Sequence, residues 1–217
     1  MTFPHAAKGI NKIFTAEILA LIAFVFSGIA TVGAVITANI LANDSNADIA
    51  AAAIVLLVFG IIAGVLAIVS VIIKFIGIFN ASRDERAFKS VIYLTLINLG
   101  VAILAACFSG IPFFNNLSNI VTDLVEFIVS LLIILGIGKL ALQLNNPEII
   151  QKCGTLFRLI LWIGLLSLFM RFFSIFLPSQ AAYVIILILS ILSIVLSVVQ
   201  YILYLSLLVK AKKMLEG

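Results

Sequence analysis

The chain has 217 residues, 65% of them apolar and only 10% charged, with a mean hydropathy of +1.36 and a net charge of +4. A soluble domain carries about 25% charge, so a water-soluble fold is excluded: there is too little polar surface to cover so much apolar interior. Nucleic-acid binding is excluded as well, because the thirteen Lys and Arg lie between apolar runs instead of gathering on one face.

The expected class is an all-α integral membrane protein, a single polytopic domain over residues 1–217 with the lipid bilayer as its main partner. Six spans each reach the ~20 residues that cross the hydrocarbon core. They fall at 14–42, 49–79, 88–111, 117–142, 155–177 and 181–209.

The first span follows Lys8 and Lys12. Its uncharged stretch, Ile18 to Asn43, is far longer than the about 7–15 residues of a signal-peptide core, so it reads as a retained helix. It carries Gly28, Ala30, Gly33 and Ala34. The second contains Gly60-Ile-Ile-Ala-Gly64. Small residues let helices approach closely, so Gly28, Gly33, Gly60 and Gly64 are expected to pack helix 1 on helix 2, a homo-oligomer contact being the other use. The connection at 80–89, Asn80-Ala-Ser-Arg-Asp-Glu-Arg-Ala-Phe-Lys89, is the most charged segment. It reads as a dock for a membrane or cytoplasmic protein partner, or as a solvated loop among headgroups.

The third span holds Thr95 and Asn98. It is divided from the fourth by Ser109-Gly110-Ile111-Pro112 and Asn115-Asn116, which are turn signals. In the fourth, Asp123 and Glu126 are three apart and so share a helix face. Arg171 in the fifth span lies at a similar depth, about 10 Å from the turn at Pro178-Ser179-Gln180. Charges within a bilayer cost roughly 2.5–3.5 kcal/mol each unless paired or turned to a polar cavity. An ion pair of Arg171 with Asp123 or Glu126 is therefore expected, either as a cation, proton or solute site or as a structural clamp. Glu17 reads as lying near the mouth of helix 1. The sixth span presents Ser190, Ser193, Ser197, Gln200 and Tyr204 along one face, as the lining of a polar path or as hydrogen-bonding glue between helices.

Twelve of the thirteen basic residues fall in the N-terminal segment, the 2–3 and 4–5 connections and the tail, while the opposite loops hold Asp44, Asp48, Asn115, Asn116 and Gln180. The positive-inside rule then predicts a multi-pass protein of the cell membrane with both termini cytoplasmic. Cutting at the basic connections gives three hairpins, approximately 8–85, 86–150 and 151–217. Each opens on a short basic segment, read either as an internal triplication or as the topology rule acting three times.

No enzyme motif occurs. The single His5 has no partner for a metal site, no cofactor is implied, and Cys107 and Cys153 belong to opposite halves of the membrane. Asn43-Asp-Ser45 and Asn116-Leu-Ser118 match the glycosylation sequon. Two functions fit: a small transporter or channel component with a polar site of Asp123, Glu126, Arg171, Ser190, Ser193, Ser197 and Gln200, or a non-catalytic accessory or scaffold subunit.

Overall fold

The computed structural model describes the backbone of residues 3–43, 50–108, 112–176 and 180–216. Side chains are described within these except at 39–43, 50–52, 106, 112–113, 115–117, 119, 168, 171–176 and 180–186. Both sequons and the turns at 109–111 and 177–179 therefore lie wholly or partly outside the described residues. Among those described the chain is all-helical, with α1 at Pro4–Asn43, α2 at Ala50–Ala81, α3 at Arg86–Cys107, α4 at Pro112–Gln143, α5 at Pro147–Phe176 and α6 at Gln180–Glu216. All six are long and apolar enough to cross a membrane, which makes this a multi-pass membrane protein.

Several helices outrun the apolar spans because polar sequence at their ends caps them well. Asn145 takes a left-handed φ of 51°, and the Asn146 amide reaches back to the Ala141 carbonyl at 2.9 Å. This closes α4 with a Schellman-type turn. The Asn146 side chain then accepts from the Ile149 amide at 3.2 Å, with Pro147 as first helical residue of α5. Pro at that position loses no hydrogen bond. The α2–α3 turn works similarly: the Glu85 carboxylate accepts from Ala87 N–H at 3.2 Å and lies 3.7 Å from Lys139 Nζ.

The chain divides into two compact units, one of residues 1–10 with 78–217 and one of residues 11–77. In the larger unit α3 packs on α4, α4 on α5 and α5 on α6. The first turn of α1 contains no acidic residue, and one of its N–H groups is met from a distance: the buried Ala6 N–H donates to Asp84 Oδ2 at 2.7 Å. A carboxylate there satisfies an orphan donor and complements the helix dipole. The buried core gathers near the basic connections, with Phe88, Ile133, Ile134, Ile137, Leu140, Ile149, Leu156, Leu207 and Leu208 fully enclosed. Two glycines make this packing possible. A Cβ on Gly136 would fall 2.7 Å from the Phe88 ring, and one on Gly164 would fall 2.8 Å from the Phe127 ring. Further along the spans Leu96, Ile97, Leu99, Ile188, Ile191 and Ile194 are exposed, as suits helices whose solvent is as apolar as leucine.

The smaller unit is the remainder of α1 and α2. Phe26 stacks on Phe59 with ring centroids 5.6 Å apart, and a Cβ on Gly33 would collide with the Leu56 side chain. Gly28, Gly60 and Gly64 differ from expectation, since a Cβ on any of them would meet nothing within 4 Å. The aromatic pair and Leu56 act as spacers between the helices, so the small residues border open space.

Candidate functional site

Of the polar residues singled out on α4 to α6, Asp123 and Glu126 lie exposed on α4. Arg171 belongs to α5, but its side chain is outside the described residues. Ser190 is half-buried and its hydroxyl lies 3.7 Å from the Met170 sulfur, which links α5 to α6. Ser193 and Gln200 are half-buried and Ser197 is exposed. Thr95 returns its hydroxyl to the Val91 carbonyl of its own helix at 2.8 Å.

The acids of the basic connections already have partners. Asp84 and Glu85 cap helices, and Glu148 binds both Lys152, at 3.5 Å, and Lys210. Within 80–89 this leaves Arg83, Arg86 and Lys89 outward, the Arg83 guanidinium lying over the Phe79 ring at 5.5 Å.

A more developed site lies between α1 and α2. Glu17, 7% exposed, pairs with Lys74 at 2.7 Å, the lysine side chain being 36% exposed. One turn further into the span the buried Ser70 donates its hydroxyl to the Ala16 carbonyl at 3.0 Å. From Ser70 and Ala20 a groove of about 930 Å3 runs outward between the helices. Ala20, Ala23, Ser27, Ala30, Thr31 and Ala34 line it from α1, and Gly60, Ala63, Gly64, Ala67 and Ser70 from α2. The spacings repeat every three or four residues, which puts each set on one helix face.

The arrangement combines an apolar trough with an ionic end. Holding a carboxylate in a poorly solvated place requires a counter-charge, which Lys74 provides, while the exposure of Lys74 leaves that charge within reach of another anion. The glycines were visible in the sequence as a packing motif, and Glu17 as a charge near the mouth of helix 1. Their association was not, because it depends on α1 and α2 being held apart. No family model matches the chain, and no curated protein or solved structure matches it.

Proposed function

We propose that the chain is a non-enzymatic multi-pass membrane protein of the transport class that binds its ligand in the α1–α2 groove, with Glu17 and Lys74 as the polar end. The supporting observation is a nearly buried, salt-bridged carboxylate one turn from the end of a 930 Å3 groove. An ion pair serving packing alone gains nothing from adjoining space, whereas a ligand's polar group can exchange with a partner as accessible as Lys74. The positive-inside rule, applied to the twelve basic residues, supports a cytoplasmic side of a cell membrane for this ionic end and for both termini. The second and third hairpins belong to the same reading and draw support from the packing of α3 on α4 and α5 on α6; their basic openings are read either as an internal triplication or as the topology rule acting three times.

A photoreactive amino acid at Ser27, which is exposed in the groove, tests this in native membranes. The expected product is a small-molecule adduct that disappears when Gly60→Leu fills the groove. Absence of any such adduct removes the groove as a ligand site. An adduct with another polypeptide supports a second reading, an accessory or scaffold subunit. The outward basic edge of 80–89 favours that reading as a partner contact. In the scaffold reading the α4–α6 serines act as glue, as Ser190 does with Met170, and a homo-oligomer uses the outward Gly28.

A further inference from the structure

We infer that the groove's occupant is an anionic phospholipid from the leaflet at the basic end, one acyl chain lying along the trough and its phosphate held by Lys74 and Lys12. This rests on the groove being the ligand site and names the chemistry of the ligand.

Shape argues first. From Ala20 to Ala34 the groove follows α1 for about 21 Å at 1.5 Å per residue, an elongated apolar trough that suits a flexible hydrocarbon chain. Its walls agree: alanine and glycine along the floor with Phe24, Leu56, Leu57 and Val71 beside them, and open along Ser27, Thr31, Gly60 and Gly64, which are exposed, so a chain can enter sideways from the bilayer.

Charge argues second. Lys12 precedes Ala23 by about three turns and Lys74 follows Ala67 by about two, so each continues its helix's groove-lining side toward the basic end. Among the described residues Lys12 has no ion pair, and Lys74 has only Glu17. The two lysines against one carboxylate leave a net positive end, which favours a phosphate bearing net negative charge over a zwitterionic headgroup. Both lysines have long apolar stems that let the ammonium groups reach the headgroup level.

Native mass spectrometry on the full chain, released from vesicles of equal phosphatidylglycerol and phosphatidylcholine, tests the inference. One phosphatidylglycerol should stay bound. Gly60→Leu should remove it, and Lys12→Gln, which breaks no ion pair, should weaken retention about fivefold. Glu17→Gln with Lys74→Met, which leaves no lone buried charge, should weaken it at least as much. Retention of either lipid equally, sensitive to Gly60→Leu but indifferent to both lysines, would overturn the anionic assignment while leaving the groove as a binding site. Lipid retention unaffected by Gly60→Leu, or a dimer mass that Gly60→Leu abolishes, would overturn the lipid occupant. Melting temperatures of the variants, expected near wild type for Gly60→Leu and Lys12→Gln, separate lost binding from lost fold.

Discussion

Removing Lys74 by Lys74→Leu should destabilise the protein far more than removing Lys74 and Glu17 together. Glu17 is 7% exposed and sits 2.7 Å from the Lys74 ammonium, so the single substitution strands a carboxylate in a poorly solvated place. Loss of one partner of a buried pair costs about 3–5 kcal/mol. Because the Lys74 side chain is 36% exposed, part of that charge is screened, and about 2–3 kcal/mol is the expected loss. Glu17→Leu with Lys74→Leu replaces the pair by apolar side chains next to existing space, and should cost less than about 1 kcal/mol. Reversible unfolding in mixed micelles, run as a double-mutant cycle, reads the coupling directly. Additive losses, or a Lys74→Leu protein as stable as wild type, would mean that Glu17 is solvated well enough to need no partner.

Gly136→Leu should destabilise by about 1–3 kcal/mol, since its first added carbon already falls within 2.7 Å of the Phe88 ring; thermal unfolding in detergent measures it, and an unchanged midpoint would mean α3 and α4 do not meet there. Gly60→Leu and Gly64→Leu should change stability by less than about 0.5 kcal/mol in the same assay, whereas large losses would indicate glycines closed against a helix. Asp84→Ala should cost about 1 kcal/mol and speed hydrogen exchange at the Ala6 amide; exchange as slow as in wild type would show that α1 is capped by other means.

The six helices were legible because a span is a local property: twenty apolar residues identify themselves wherever the chain puts them. Helix ends were legible only in part. Pro4, and Asn146 followed by Pro147, extend α1 and α5 well before their apolar stretches at 14 and 155, and the capping acid of α1 comes from Asp84, far away in sequence. That extension explains the treatment of Glu17. It reads as lying near the mouth of helix 1, and α1 runs on outward from it to Pro4, so a neighbouring helix turn and Lys74 enclose a carboxylate that the apolar stretch alone leaves at an edge. Glycine roles were legible only in part: Gly33 packs against α2 as expected, through Leu56. Gly33, Gly136 and Gly164 each receive a large side chain, from Leu56, Phe88 and Phe127, while Gly60 and Gly64 receive none. The difference lies in the register of another helix, which no pattern within one apolar run records. Asp123 and Glu126, three apart on α4, are both exposed, and whether Arg171 joins them depends on how α5 is rotated.

A structure of the protein determined in lipid nanodiscs containing phosphatidylglycerol tests the ligand-site account most directly. The account predicts α1 and α2 held apart between Ala20 and Ala34, with chain-like density running from Lys74 past Ala67, Gly64 and Gly60. Helices closed so that Gly60 and Gly64 touch Ala23 and Ser27, leaving no trough beside the Glu17–Lys74 pair, would contradict it.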